Sequence, residues 1–542
     1  MAGEDYADLA IRSKSVFTAQ THRAFEGVVL VKGNKIMEVY PKGAGEEYIG
    51  PNTQVIDADN GTVLPGFNDA HTHLLQAGVM LDKDYTIDLT GLTSKEAVLG
   101  AIDEFAKSHP ENEWVVGCNF DWNNKEFEPD KWMLDELLPD RPAYFASNCM
   151  HVGWTNSLAL EAAGYTKDTA NPEGGLLVRN KDGELIGIGK EPPVNDPVWG
   201  IANSAANMDR ALGNMISEAI SCGVTATGVV WPYGGIPEKT CMGVFKDFKE
   251  RGKLPIRVTV FPKLEEGLEN AKKIESEFTG DWLRFGGVKQ IVDGMCESHT
   301  GYLLEPYADQ PNTCGEPAMP KETLKELIAE ADAQGYPVRL HAIGNGTVHM
   351  VLDCFEEVGT EQGFKGLHNC IEHYETATPE DMVRTARMGI VPSMQPIHSI
   401  LNVEGYPKLL GEKWVPYMWP LRSLIDLGAI PAFGTDSPVW KLNPMEGIYA
   451  AVTRQQPWDG KPEGGFVPEQ RITVAEALQA YTFGAARAES FEDRIGTLHA
   501  GKLADITVMN TDLLSATPEE ILDAKVLFTV IDGKIAYQAC AD

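Results

Sequence analysis

The chain has 542 residues, 43% of them hydrophobic and 23% charged, with a formal net charge of −33. That balance suits a folded protein with a large core and excludes a binder of nucleic-acid phosphates, which needs a basic surface. Nine scattered cysteines, an odd number without a Cys-x-x-Cys pair, read as reduced thiols rather than a disulfide framework or a structural zinc site.

The acidic start, Met1-Ala2-Gly3-Glu4-Asp5-Tyr6, lacks the basic, apolar character of a leader. No run of about 18 apolar residues occurs. The expectation is a cytoplasmic protein with no membrane span. Residues 8–62 read as short strands, among them Val28–Val31, a turn at Lys32-Gly33-Asn34-Lys35, and Ile36–Val39. The apolar run Thr62–Ala70 reads as one buried strand leading into His71-Thr72-His73. On a strand, residues two apart share a face, so both imidazoles can hold one metal ion.

About 150 residues then precede the next strand, Gly223–Val230, too many for one crossover. Residues 85–200 are therefore expected to form an inserted subdomain with strands at Trp114–Phe120 and Ala143–Asn148. Further strands are predicted at Ile256–Pro262, Phe285–Val292, Val338–His341, Asn369–His373, Gly389–Gln395 and Ile430–Asp436. Helices are predicted at Lys321–Gln334, Thr347–Val358 and Pro379–Met388. Eight βα units predict an α/β protein with a closed (β/α)8 barrel. Near the end, Ile506–Met509, Val526–Ile531 and Ile535–Tyr537 read as strands again. The expected division is a composite β-domain from 1–62 and 493–542, a barrel from 63–84 and 201–492, and the insert.

In such a barrel, chemistry collects where the strands end. His71, His73, His341, His373 and Asp436 fall at those ends, a donor set suited to zinc or a similar divalent ion. Such an ion lowers the pKa of water and polarises a carbonyl. Asp436 is then the group to accept the water's proton and pass it to the leaving group. Lys289 on the fourth strand is a ligand only if it has reacted with CO2 to give a carbamate. Otherwise it forms a buried ion pair with a carboxylate such as Asp293.

The segments Val63–His73, Gly434-Thr435-Asp436-Ser437-Pro438, Gly496–Asp505 and Ile531-Asp532-Gly533-Lys534 together resemble the amidohydrolase superfamily, in its YtcJ-like branch, which includes N-substituted formamide deformylases. The resemblance covers nearly the whole chain. It implies a distorted (β/α)8 TIM barrel beside a composite β-sandwich, and hydrolysis of an amide, formamide or carbamate-type C–N bond in a small molecule. It implies that His71 and His73 hold one ion and that His341 and His373 hold a second, with carbamylated Lys289 between them. One ion or two remains open, as does the use of the same site for deamination, isomerisation or decarboxylation, or its survival in a non-catalytic scaffold.

Asp121-Trp122 resembles the branch's Trp-Asp motif with the order reversed. His151 resembles an active-site histidine supplied by the insert, suited to stabilise an oxyanion; the alternative is a packing role. The chain departs from the branch at His299, where an arginine is usual, and at Lys190-Glu191-Pro192-Pro193. Met295, Cys296, His299 and Trp440 are candidates for the pocket wall, and His398 follows strand seven closely enough to reach it. The expected partner is a small-molecule substrate, and the expected assembly is a homodimer.

Overall fold

The computed structural model describes residues 6–122, 128–204, 206–265 and 267–540; the acidic start Met1–Asp5 lies outside them. Both ends of the chain enter one eight-stranded sheet. Its order is Lys534–Gln538, Val526–Ile531, Ile506–Met509, Thr62–Pro65, Leu9–Phe17, Ala24–Lys32 and Lys35–Pro41, with Gln54–Asp57 paired on Leu9–Phe17. Its own apolar core includes Ile11, Val29, Val63, Ile506 and Val530.

The run before His71 is two strands rather than one. Thr62–Pro65 pairs with Ile506–Met509 in the mixed sheet, whereas Phe67–Thr72 pairs in parallel with Val224–Val230. Gly66 is the switch point. A Cβ there would stand 2.2 Å from Thr225 Oγ1, so the chain passes between the two sheets where only glycine leaves room. The apolar run gives no sign of this break, because both halves are buried.

Where the sequence predicts one eight-stranded ring, the hydrogen bonding forms two parallel sheets. One has the order Leu283–Phe285, Arg257–Phe261, Val224–Val230, Phe67–Thr72; the other runs Val288–Ile291, Val338–Ala342, Cys370–His373, Val391–Met394, Ala432–Phe433. The predicted strand Phe285–Val292 is divided between them at Gly286-Gly287. Gly287 sits at φ +140° and a Cβ there would meet the Pro337 carbonyl oxygen at 2.2 Å.

The two sheets touch at two seams. At one, the Lys289 N–H donates to the Pro262 carbonyl at 2.8 Å and the Leu264 N–H donates to the Lys289 carbonyl at 2.8 Å. At the other, the Asp436 N–H donates to the His71 carbonyl at 2.9 Å and the His73 N–H to the Ser437 carbonyl at 2.8 Å. His71, His73, Lys289 and Asp436 therefore stand at the seams, while His341 and His373 lie on interior strands of the second sheet.

The helices end where local chemistry ends them. Lys321–Gln334 closes on Gly335 at φ +78°; Pro379–Met388 starts behind Thr378, whose hydroxyl accepts from the Asp381 N–H, and closes on Gly389 at φ +70°. The insert holds a six-stranded sheet in the order Leu176–Arg179, Leu185–Lys190, Val152–Thr155, Ala143–Ser147, Val115–Phe120, Thr86–Asp88. Among the described residues, no helix is long and apolar enough to cross a membrane.

Candidate metal centre

His71 closes its strand, and His73 precedes the helix Leu74–Met80. The fully buried Glu372 carboxylate binds His71 Nδ1, and its other oxygen accepts from Arg339 Nε at 2.5 Å. His73 Nδ1 donates to the carbonyls of Pro232 at 2.7 Å and Val230 at 3.1 Å. An acceptor on Nδ1 fixes the tautomer and leaves the Nε2 lone pair free. Both Nε2 atoms face one oxygen: Asp436 Oδ1 lies 3.4 Å from His71 and 3.0 Å from His73. Burial holds His71 down to about 4, reinforced by Lys289 and opposed by Glu372, so its ring is neutral at pH 7.

Asp436 follows the two-residue strand Ala432–Phe433 in left-handed backbone, φ +57°. Asp69 clamps the turn: its carboxylate accepts from the Thr435 N–H at 2.9 Å, the Thr435 hydroxyl and the His71 N–H at 3.3 Å. Burial opposes ionisation of Asp436, whereas positive charge at its site, whether on His71, His73 and His398 or on a bound cation, would draw the carboxyl below its ordinary range. Its Oδ1 is buried without a hydrogen-bond partner.

His373, at φ +71°, brings Nδ1 to 3.9 Å from Asp436 Oδ2 and 2.9 Å from Gln395 Oε1. Donor atoms of His71, His373 and Asp436 lie within 4.8 Å of one another. The His341 ring is 4.5 Å from that of His373, but its Nε2 turns to the Gly294 carbonyl at 3.3 Å. Free ring nitrogens, an ionised carboxylate and one orphaned oxygen fit a divalent ion.

Lys289 is 1% exposed and lines the same cavity. Burial lowers its pKa to about 8, with Glu372 and Asp436 opposing the shift. The ion pair with Asp293 does not form. Asp293 accepts instead from the Tyr302, Ile343 and Gly344 N–H groups at 3.1, 3.1 and 2.9 Å and from the Thr347 hydroxyl at 2.7 Å.

His151 arrives from the insert, its ring 5.9 Å from that of His341. Its Nδ1 lies 2.5 Å from Glu191 Oε2, and Glu191 also accepts from the hydroxyls of Thr300 at 2.6 Å and Ser298 at 3.2 Å. Burial disfavours the imidazolium, but Glu191 outweighs it and raises the pKa of His151. Glu191 thus positions His151.

These groups face a cavity of about 880 Å³, also lined by Asp121, Met295, His398 and Trp440. Three sequence candidates do not line it. Trp122 packs partly buried on the insert's core, with Lys190 Nζ 5.5 Å from its ring. His299 turns away to Asp309, Nε2 lying 3.1 Å from each oxygen, and meets the Tyr307 ring edge-on at 4.8 Å. Cys296 is buried in the main core instead of on the cavity wall. Sequence reasoning also missed Glu372, Asp69 and Glu191 as supports. The available signal was a carboxylate inside or beside an apolar segment, which burial tolerates only with a partner.

A family model described as the amidohydrolase family matches residues 54–537. The putative amidohydrolase YtcJ of Bacillus subtilis is 30% identical, covering 95% of this chain and 99% of its own. The protein LONG AFTER FAR-RED 3 of Arabidopsis thaliana is 29% identical over 98% of this chain and 92% of its own. The N-substituted formamide deformylase of Arthrobacter pascens is 26% identical over 98% of each. Among solved structures, an uncharacterized metal-dependent hydrolase of Pyrococcus horikoshii superposes with a TM-score of 0.72 at 23% identity, covering 94% of this chain and 99% of that one. With its donor set at and just past strand ends and its match spanning nearly its whole length, the chain belongs to the amidohydrolase family.

Proposed function

We propose that the protein hydrolyses a C–N bond of the amide, formamide or carbamate type in a small molecule, using a divalent metal, zinc in the first instance. The observation that carries this reading is the convergence of His71 and His73 Nε2 on the orphaned Asp436 Oδ1 at the cavity wall. In this reading the two parallel sheets are the halves of a distorted (β/α)8 barrel. Residues 1–62 with 493–542 form the β-sandwich domain, and 85–200 form the insert that supplies part of the pocket.

His71, His73, His373 and Asp436 would hold the ion. Lys289 as a carbamate, with His341, would complete a second position. A bound ion there supplies Lewis acidity, lowering the pKa of water and polarising the scissile carbonyl. Asp436 takes a proton from the attacking water at a carboxylate oxygen and returns it to the departing nitrogen. His151, held on Nδ1 by Glu191, donates from Nε2 to the oxygen that gains charge. The formamide deformylase among the relatives supports trying N-substituted formamides first.

The test is an assay of zinc-loaded protein against N-substituted formamides, reading formate and amine release. Asp436→Asn should lose at least about 100-fold in kcat, the lower range for a general base. Ammonia release without formate or another carboxylate would replace hydrolysis of this bond by deamination.

A further inference from the structure

We propose that Trp458, backed by Trp440, determines specificity: the pair forms an apolar wall for a long hydrocarbon substituent on the nitrogen of the cleaved bond. The inference rests on the reading of this cavity as the site of hydrolysis and adds what its mouth recognises.

The wall grows out of the reacting end of the cavity. The Val439 N–H donates to the Asp436 carbonyl at 2.8 Å, a turn that sets Trp440 just beyond Asp436. The Trp440 indole N–H donates at 2.5 Å to Glu446 Oε2, on the helix Pro444–Thr453, so the ring's one polar atom is already satisfied. Lys441 pairs with the same Glu446 at 3.4 Å. The Trp458 ring leans on Trp440, with centroids 5.7 Å apart and planes 37° apart. Both rings line the cavity, as do Pro457 and Leu401. The substituent is placed on nitrogen because the wall starts at Asp436, the group that returns the proton to the departing nitrogen.

Trp458 belongs to a loop built to hold it in place. Arg454 Nε donates to the Phe466 carbonyl at 2.8 Å, and the Phe466 N–H donates to the Arg454 carbonyl at 2.7 Å, closing the loop at its base. Within the loop, the Gln456 N–H donates to the Lys461 carbonyl at 2.6 Å, and Gln455 Nε2 to the Gly460 carbonyl at 2.6 Å. Gln456 Nε2 ties the loop to the segment carrying Leu401, donating to the Ile400 carbonyl at 2.9 Å. A wall already in place costs a ligand no ordering of the protein.

This wall lacks a cover. Trp458 is 52% exposed, more than any other large hydrophobic side chain among the described residues except Phe364, and Leu401 is 38% exposed. Single exposed hydrophobics are ordinary on a surface, but these two line one cavity and are joined through Gln456. A hydrocarbon chain running from Asp436 along Trp440 to Trp458 removes that area from water. A protein partner is the poorer occupant, because the rings line a concave cavity of about 880 Å³ continuous with the reacting groups.

The experiment is calorimetric binding of N-alkyl-N-hydroxyformamides, from methyl to octyl, to the zinc-loaded full chain. Their two oxygens anchor every member on the metal, so differences along the series report the alkyl chain. In the unaltered protein, affinity should rise by up to about fourfold per methylene over the longer members, the value of a fully buried CH2. Trp458→Ala should weaken the octyl compound at least about tenfold and leave the methyl compound within roughly twofold, since only the long chain reaches the wall. Trp458→Phe should recover most of that loss. The side chain is half exposed on a surface loop, so neither substitution opens the core. Affinity that does not climb with chain length, or a climb that survives Trp458→Ala, overturns the proposal. Equal weakening of the methyl and octyl compounds also overturns it, as that marks a general structural loss. Formamide turnover is a separate readout. Turnover without the climb sinks this inference alone, and the climb without turnover sinks the hydrolase reading alone.

Discussion

Glu372 binds His71 through Nδ1, and this contact decides which imidazole nitrogen looks into the cavity. The same carboxylate neutralises Arg339, so two groups with almost no solvent exposure depend on one side chain. Burial opposes its ionisation, yet Arg339 and His71 hold its pKa well below the usual carboxylate range.

Glu372→Gln should therefore do two things. Metal affinity should fall roughly 10- to 100-fold, the ordinary effect of losing a carboxylate behind a ligating histidine. Stability should fall by about 3–5 kcal/mol, because Arg339 is left buried without its counter-charge. Metal titration and urea unfolding of the same variant check both; unchanged metal affinity would mean that Glu372 only packs.

His151→Ala should lower kcat about 100- to 1,000-fold, the range for removal of one oxyanion donor, with metal content unchanged. Glu191→Gln should give a smaller loss, since the ring keeps its place but loses the charge that favours its imidazolium. A His151→Ala enzyme with normal kcat would return this histidine to a packing role.

Lys289 is testable by spectroscopy without activity. After exchange with carbon-13 bicarbonate, the metal-loaded protein should give one carbamate resonance, absent in Lys289→Met. The variant should also bind less metal per chain. No such resonance would leave Lys289 a buried amine, with burial and Arg339 keeping its pKa near 8 against Glu372 and Asp436.

Glu489 predicts a pH dependence of stability. It is fully buried, and burial lifts its pKa to about 7 against Thr259, Arg339 and Arg284. Its folded pKa lies above its unfolded value of about 4.3, so folding costs nothing extra while both states are protonated. The penalty grows as pH rises through that window and is complete above about 7. Glu489→Gln removes it. The melting-temperature advantage of the variant should therefore be larger at pH 8 than at pH 5; an advantage independent of pH contradicts the shift.

Much of this was legible in the sequence where periodicity and punctuation agree. Pro379 and Gly389 bound a helix that the structure keeps to the residue, and Ile506–Met509 and Val526–Ile531 form strands at the predicted limits. His71, His73, His373 and Asp436 were legible because they end predicted strands, and the fold brings those ends together. What stayed hidden depended on three-dimensional partners. Gly66 and Gly287 divide apolar runs that read as continuous, for reasons that lie in Thr225 and Pro337 far along the chain. His299 follows the strand closely enough to suggest the pocket, yet Asp309 and Tyr307 draw it aside. Glu372 looked like an ordinary strand residue until Arg339 and His71 stood on either side of it.

The central claim is that His71, His73 and Asp436 hold a metal ion. Elemental analysis of protein purified without chelator or added metal tests it most directly. The account predicts at least one divalent ion per chain in the unaltered protein and a clear loss of it in His71→Ala. Folded, metal-free protein that takes up no added zinc would contradict it.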